Sequence, residues 1–205
     1  MDFDKYNFTK NANTDWLTDT RHVRIIHEFL MSNDFRDVME IGSYTGLSTS
    51  AFIEALNKGK DFTLHISEPN ITSELLALIG MCNKPEKIII NTDDGYSMLK
   101  KRPEAEFVFI DGDHSIQGAG IETLQLLRNK TPNIMAHDIN LEQCQMAYSG
   151  KGSELMGRVF ASHRDYYYIE DKKKRDGERT ERGFMFATTS KENYNIGTRI
   201  FKQIC

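Results

Sequence analysis

The chain has 205 residues, a formal net charge of −4 at pH 7, 39% hydrophobic residues and 27% charged residues. A chain of this length buries a core without disulfides or metals to support it, and the composition is that of an ordinary soluble globular protein. Nucleic acid is not expected as the main partner, because phosphate backbones recruit proteins with a basic excess. We predict a single domain over residues 1–205, in which residues 1–18 are a polar N-terminal extension.

Cysteine usage and the N-terminus point to a reducing compartment. Cys82, Cys144 and Cys205 are far apart and form no Cys-x-x-Cys pair, so neither a disulfide framework nor a zinc site is indicated. The first ten residues carry acids and no apolar stretch of the kind found in signal peptides. No apolar run approaches the roughly 20 residues of a membrane span. We therefore expect a cytoplasmic protein that makes no contact with membranes.

Short β-branched runs alternate with longer helical patterns along the chain. The first helix is predicted over residues 21–32, where Val23, Ile26 and Phe29 recur at helical spacing. Strands are predicted over residues 37–42, 62–69, 87–94, 106–114, 133–138, 166–171 and 182–189. Further helices are predicted between them over residues 47–59, 73–82, 95–101, 120–130 and 152–163, with Ser73 as an N-cap of the second of these.

This order of elements predicts the fold class. Near-continuous apolar strands that alternate with helices indicate a parallel sheet covered on both faces. The last two strands are joined by residues 172–181, which show no helical pattern, so at least one strand there must run antiparallel. The sequence predicts an α/β, doubly wound, Rossmann-like fold with a mostly parallel seven-stranded sheet, helices on both faces and an antiparallel C-terminal hairpin strand.

Charged and polar residues, together with glycines, lie at the end of each of the first five predicted strands or directly after it. They are Glu40, Gly42, Ser43 and Gly46 at the first strand, Glu68 at the second, Asp93 and Asp94 at the third, Asp111, Gly112, Asp113 and His114 at the fourth, and His137, Asp138 and Asn140 at the fifth. In an open parallel sheet, ligands bind beyond the carboxyl ends of the strands. Carboxylates gathered at one edge repel one another unless a cation, hydrogen-bond donors or a cationic ligand balances them. The pattern predicts a binding site at this edge.

The glycine-containing turn over residues 40–46 (EIGSYTG) narrows the type of ligand. Glycine allows a tight strand-to-helix turn and lets a ligand approach the backbone. A dinucleotide-binding turn would have Gly-x-Gly-x-x-Gly, but Tyr44 stands at the middle glycine here. An acid at Glu40 suits a ligand with an ammonium group better than a pyrophosphate, so an NAD-linked oxidoreductase is disfavoured.

Two more acids fit a nucleoside. Glu68 lies 26 residues beyond Gly42, at the end of the next strand, where a carboxylate can accept two ribose hydroxyls. Asp94 ends the third strand and precedes a short helix. It is placed to bind an adenine amino group or to cap the helix, and the two roles can coexist.

The segments EIGSYTG, ISEPN, INTDDGYSML, FVFIDGDHS and IMAHDI, in this order, resemble class I S-adenosylmethionine-dependent methyltransferases. The IDGDHS…HD signature resembles the small-molecule O-methyltransferase branch, which includes sugar and macrolide O-methyltransferases and the cephalosporin-hydroxylase-like group. The resemblance runs from about residue 38 through the final hairpin. It implies S-adenosylmethionine as cofactor and, for many members of the branch, magnesium.

The resemblance also implies roles for individual residues. The methionine part of the cofactor would be held by Glu40, Gly42, Ser43 and Gly46, with Glu68 on the ribose, Asp94 on the adenine, and Asp111 at the junction of the cofactor and metal sites. Asp111 matches the first metal ligand of the metal-dependent branch, and His137 and Asp138 match two adjacent ligands. Asp113 matches a general base of some sugar-modifying relatives.

One position departs from the branch, because His137 stands where an acid is expected. A hard cation prefers oxygen ligands, so this residue weakens the case for magnesium and favours manganese or zinc. It also leaves open a metal-free site in which His137 is the base. His114 and Asp113 are the other candidate bases, and histidine is the better matched near neutral pH.

Together these features predict an S-adenosylmethionine-dependent methyltransferase that methylates a hydroxyl of a small molecule, sugar or catechol-like, with the help of a divalent metal such as Mg²⁺ or Mn²⁺. One alternative is a metal-free methyltransferase with a His or Asp general base. Another is a non-catalytic binding protein that keeps the cofactor fold as a scaffold. A small-molecule acceptor is the expected partner, and a homodimer is expected from base rates.

Overall fold

The computed structural model describes residues 3, 6, 18–140, 151–172 and 183–205. Most of the predicted N-terminal extension 1–18, most of the connection 172–181 and Cys144 lie outside the described residues. Among the helices that the structure describes, none is long and apolar enough to cross a membrane.

The described strands form a seven-stranded sheet in the order β3-β2-β1-β4-β5-β7-β6. They are β1 (Asp37–Ile41), β2 (Thr63–Ser67), β3 (Ile88–Asn91), β4 (Phe107–Ile110), β5 (Asn133–His137), β6 (Tyr167–Asp171) and β7 (Phe184–Thr188). Strands β1 to β5 pair in parallel, and β7 runs antiparallel to both β5 and β6. The predicted mixed sheet with an antiparallel C-terminal hairpin is confirmed.

All the predicted helices are present, and one more follows the last strand. They are α1 (Thr20–Met31), α2 (Thr49–Asn57), α3 (Ser73–Ile79), α4 (Gly95–Lys101), α5 (Ile116–Asn129), α6 (Lys151–Ser162) and the unpredicted α7 (Lys191–Ile204). The N-cap of α3 is Thr72, whose hydroxyl accepts from Leu75 N at 3.1 Å, so the prediction of Ser73 was wrong by one residue.

Two apolar layers flank the sheet, as predicted for a doubly wound fold. One layer packs residues of α1, α2 and α7 against one face, where Phe107 and Phe109 of β4 lie. The other packs residues of α4, α5 and α6 against the opposite face, where Val108 and Ile110 lie. The alternation within β4 is the period of two that places successive side chains on opposite faces of a sheet.

The strand register aligns the carboxyl ends of the central strands. Ile41 at the end of β1 is paired with Ser67 of β2 and with Ile110 of β4, and Ile110 is paired in turn with Ala136 of β5. The residues that follow these strands therefore leave the sheet side by side. This register creates the edge at which the sequence predicts a binding site.

Candidate functional site

The glycines of the turn after β1 are explained by close packing and backbone conformation. Gly42 and Gly46 have positive φ angles of 79° and 93°. A Cβ at Gly42 would meet the carbonyl oxygen of Asp111 and lie 2.6 Å from Gly112 Cα, and one at Gly46 would lie 2.6 Å from Leu78 Cδ2. Only glycine fits such a left-handed, crowded position without strain. The turn is thus pressed against the segment that follows β4.

Glu68 fixes the same turn from the end of β2. Its Oε2 accepts from Ser43 N at 3.0 Å and from Tyr44 N at 2.8 Å, and its Oε1 accepts from Asn70 N at 2.9 Å. Tyr44 has a φ of 48°, a left-handed conformation that is uncommon for an aromatic residue. A ribose bound to Glu68 would share oxygens that already hold the turn in shape.

Ser43 provides the best sign that this turn is built for a ligand. Its Oγ is buried, and it has no hydrogen-bond partner among the residues that the structure describes. A buried hydroxyl without a partner is costly, so native proteins normally satisfy it. A carboxylate or another acceptor of a bound cofactor would satisfy Ser43. The predicted cofactor-binding residues Gly42, Ser43, Gly46 and Glu68 thus meet at one turn, and the binding of S-adenosylmethionine by them remains a prediction.

Glu40 points away from the surface. The residue is 0% exposed, and its carboxyl oxygens accept from Ser48 Oγ at 2.6 Å and from Thr49 Oγ1 at 2.7 Å. Burial raises the pKa of Glu40 to about 8, although the two hydroxyl donors oppose the shift. At neutral pH the group is mostly neutral and holds the start of α2. Glu40 would act on a cofactor through the turn and helix that it positions.

Asp94 caps α4. Its Oδ1 accepts from Ser97 N at 2.8 Å and its Oδ2 accepts from Ser97 Oγ at 3.0 Å. The backbone hydrogen bond from Ser97 lowers the pKa of Asp94, as is usual for an N-cap carboxylate. The capping role is confirmed, and adenine binding by Asp94 remains a prediction.

A cluster of two acids and a histidine forms where β4 and β5 end. Asp111, His114 and Asp138 each offer a ligand atom, and these atoms lie within 4.8 Å of one another. His114 Nε2 is 3.3 Å from Asp111 Oδ1, and His114 Nδ1 is 3.7 Å from Asp138 Oδ2. Asp138 has a φ of 56°, a strained conformation that often marks a functional site.

His137 approaches this cluster from its buried side. Its Nδ1 lies 3.1 Å from Asp138 Oδ1 and 3.5 Å from Asp111 Oδ2, and its side chain has no exposed surface. Of the three predicted metal ligands, Asp111 and Asp138 thus come together on the edge of the sheet. The third donor beside them is His114, which the sequence assigned only to catalysis.

His137 offsets part of the negative charge of the two acids. Burial by itself lowers the pKa of His137, but the carboxylates of Asp138 and Asp111 outweigh it and raise the pKa to about 10. For Asp111, burial acts in the opposite sense, and His137 and His114 hold its pKa well below the usual value. His137 is therefore an imidazolium at neutral pH, with no lone pair to accept a proton as a base. The same two acids raise the pKa of His114 against the effect of burial.

Two residues near the cluster were not predicted. Thr18 Oγ1 donates to Asp111 Oδ2 at 2.9 Å. His22 of α1 stacks on Phe184 with ring centroids 4.6 Å apart and lies edge-on to His137 at 5.3 Å. Burial lowers the pKa of His22 to about 4, so its ring is neutral behind the charged His137. Helix α1 brings His22 to the site, and Thr18 lies just before the start of this helix. No local sequence pattern indicates either contact.

Asp113 supports the start of α5. Its Oδ1 accepts from Ser115 N at 2.8 Å and its Oδ2 accepts from Ser115 Oγ at 3.0 Å, while Ser115 Oγ accepts from Gly118 N at 2.9 Å as the N-cap. Both oxygens of Asp113 are therefore engaged in the helix start. His114 is the better placed of the two as a proton acceptor.

The donor set of the cluster fits a divalent cation. Two carboxylates and an imidazole converge there, and the mixed oxygen and nitrogen donors suit Mn²⁺ or Zn²⁺ better than Mg²⁺. The protonated His137 already neutralises part of the negative charge. The site can therefore hold a cation, which would offset the negative charge that remains on the two acids when His114 is neutral.

Comparison with known proteins shows which fold the chain shares. No protein-family model matches it, and no curated protein matches it. An O-methyltransferase from Bacillus cereus in complex with S-adenosylhomocysteine is 16% identical with a TM-score of 0.67, over 92% of this chain and 89% of that chain. The O-methyltransferase TomG from Streptomyces achromogenes, involved in tomaymycin synthesis and bound to S-adenosylmethionine, is 14% identical with a TM-score of 0.68, over 91% and 86%.

A methyltransferase from Geobacter sulfurreducens is also similar, at 10% identity and a TM-score of 0.63, over 92% of this chain and 87% of that chain. All three likenesses span almost the whole of both chains at low sequence identity. They establish that the chain has the fold of these methyltransferases.

Proposed function

We propose that the protein is an S-adenosylmethionine-dependent methyltransferase that methylates a hydroxyl group of a small molecule. The observation that carries this proposal is the meeting of two features at one edge of the sheet. The turn with its unsatisfied Ser43 hydroxyl lies against the segment that begins at Asp111, and Asp111 belongs to the acid–histidine cluster. Solved O-methyltransferases of the same fold hold S-adenosylmethionine or S-adenosylhomocysteine, which supports this choice of cofactor.

The main task of the protein in such a reaction is to position the reactants. When bound, S-adenosylmethionine supplies a methyl group already activated on a sulfonium. Holding a donor and an acceptor in a near-attack arrangement is worth about 7–11 kcal/mol in favourable cases. Glu68 and Ser43 would fix the donor at the rigid turn, and the cluster beyond β4 and β5 would face the acceptor.

The second task is to handle the proton of the acceptor hydroxyl. His114 is the partly open member of the cluster, with 24% of its side chain exposed. A neutral His114 can accept the proton, and the neighbouring carboxylates, which raise its pKa against the effect of burial, shift that form toward higher pH. In the metal-assisted version, Asp111, His114 and Asp138 would hold a divalent cation, which would supply Lewis acidity that lowers the pKa of the hydroxyl. The ring lone pair of His114 would then bind the cation, so His114 would not be the proton acceptor in that version.

A metal-free reaction is the second candidate, and one observation favours it. The imidazolium of His137 already lies against Asp111 and Asp138, where a metal would otherwise provide the positive charge. In this version His114 alone accepts the proton. The nature of the acceptor, a sugar or a catechol-like compound, rests on the resemblance of the IDGDHS…HD signature.

Labelled methyl transfer tests the proposal. The protein is incubated with S-adenosylmethionine and a panel of sugars and catechols, once with manganese and once in chelator, and its thermal unfolding is followed with the cofactor. We expect stabilisation by the cofactor and transfer to at least one acceptor. Loss of transfer in Asp111→Asn but not in the control Asp93→Asn would tie the reaction to the cluster. An absence of cofactor stabilisation contradicts the proposal, and stabilisation without any transfer favours the non-catalytic binding protein.

A further inference from the structure

Glu122 of α5 is a buried acid that no predicted role explains. The residue is 3% exposed, and its Oε2 has no hydrogen-bond partner among the described residues. Burying a carboxyl group without a partner is costly, and acids are almost never fully buried unless they are paired. A buried polar group of this kind calls for an explanation, and a molecule that binds to it is one such explanation.

The position of Glu122 places it at the predicted cofactor edge. A Cβ at Gly95 would collide with Glu122 Oε1 and would lie 2.5 Å from Ile41 Cγ2. The absent side chain at Gly95 thus makes room for the carboxyl group of Glu122. Gly95 is the first residue of α4, directly after Asp94, and Ile41 ends β1. Glu122 therefore reaches the corner where the start of α4 lies near the end of β1.

The state of Glu122 suits a ligand with both a donor and an acceptor. Burial, followed by the negative charges of Asp113 and Asp94, raises the pKa of Glu122 to about 8. A neutral carboxyl group donates through its hydroxyl and accepts through its carbonyl oxygen. The oxygens of Asp94 already accept from Ser97, whereas Oε2 of Glu122 has no partner among the described residues.

We propose that Glu122 binds the adenine of the cofactor through the 6-amino group and the neighbouring ring nitrogen. This inference rests on the proposed function and deepens it, because it names a residue that recognises the adenine ring of the cofactor. Adenine presents an amino donor beside a ring acceptor on this edge. That pair matches the acceptor and donor of a neutral carboxyl group. Glu122 accounts for adenine recognition at the same corner as Asp94, which is engaged in capping.

The test measures whether the preference for adenine over an analogue without the 6-amino group depends on Glu122. S-adenosylhomocysteine and its analogue without the 6-amino group are titrated calorimetrically into the wild type, Glu122→Leu and Glu122→Gln. We expect the wild type to prefer the amino compound by about five- to tenfold, the size of one hydrogen bond. Glu122→Leu should lose most of this preference, and Glu122→Gln should keep it because an amide offers the same donor and acceptor.

Controls separate recognition from structure. Gln125→Leu, on the same helix, removes a polar side chain that bonds to Asn129 and should leave the preference unchanged. Glu122→Leu should unfold at the same or a higher temperature than the wild type, because it replaces a buried acid, whose Oε2 has no partner among the described residues, with an apolar group. Equal preference in the wild type and Glu122→Leu would overturn the inference while the proposed function stands. A wild type that binds neither compound would overturn both.

Discussion

Replacing Glu40 by Gln should remove a large part of the pH dependence of stability. The folded protein holds a proton on Glu40, whose pKa is about 8, whereas the unfolded chain releases it near the ordinary value of 4.5. The contribution of this proton to stability is therefore complete below the unfolded pKa and is lost as the pH rises through the folded one. A glutamine keeps a carbonyl acceptor and a donor near Ser48 and Thr49, but it does not titrate.

The expected size follows from the gap between the two pKa values. Each unit is worth about 1.4 kcal/mol, so between about pH 5 and pH 8 the wild type should lose roughly 3–4 kcal/mol of stability relative to Glu40→Gln. Urea unfolding followed by circular dichroism, at three pH values in this range, gives the difference in the free energy of unfolding directly. Glu86→Gln, which removes an exposed carboxyl group, is the matched control.

A difference between wild type and Glu40→Gln that stays constant within about 1 kcal/mol across this range would refute the reasoning. It would mean that Glu40 is ionised in the folded protein. A charged Glu40 would then be available to face the ammonium group of a cofactor, as the sequence suggested. The measurement therefore decides between a supporting and a direct role for this acid.

Three further substitutions test the candidate site and the turn and helix beside it. Gly46→Ala should lower the free energy of unfolding by about 2–3 kcal/mol, because Gly46 has a positive φ and a Cβ there would contact Leu78. The control Gly59→Ala should cost only about 1 kcal/mol, because Gly59 has a similar φ of 100° but open space around it. Equal losses in urea unfolding would contradict this prediction. Asp94→Ala should lose the helix cap and about 1 kcal/mol in thermal unfolding, and an unchanged midpoint would exclude capping. Asp111→Asn should lower the free energy of unfolding by about 2–4 kcal/mol, because it removes one partner of the buried ion pair with His137. It should also abolish manganese binding measured by calorimetry. A variant as stable as the wild type would show that the pair is not ionised.

The strands and the polar residues at their ends could be predicted, because a buried strand shows as an apolar run in the sequence. The residues 106–114, for example, are apolar until their acidic end, and the structure has a strand at Phe107–Ile110. The predicted strand was too long because it included the acidic end, residues 111–114, which leaves the sheet directly after Ile110. The acids after such strands lie on one edge whenever the strands run parallel, so the site could be located from the sequence.

Helix α7 was missed because its sequence is mostly polar and contains Gly197. A glycine inside a helix lowers its propensity, which weakens the signal. The structure explains the residue, since a Cβ at Gly197 would lie 2.6 Å from the ring of Phe186. The N-cap Ser190 and the apolar pair Ile200 and Phe201 were the available signals.

The direction of each side chain at the edge could not be predicted. Glu40 and His137 belong to strands, so each side chain points to one face of the sheet. Its surroundings depend on which helix covers that face. His137 lies two residues beyond Met135, on the face that α1 covers, and therefore meets His22. His114 lies on the loop after β4 and remains partly exposed. The burial of one histidine and the exposure of the other follow from tertiary packing alone.

Titration of the wild-type protein with S-adenosylhomocysteine in a calorimeter tests the central claim most directly. The proposed function predicts saturable binding to one site with micromolar affinity. The reason is that the Ser43 hydroxyl has no partner among the described residues, and the edge of the sheet offers acids for a nucleoside. The binding should be weakened in Ser43→Ala. A titration with no saturable heat and no shift in unfolding temperature would contradict the claim that this fold holds a methyl-donor cofactor.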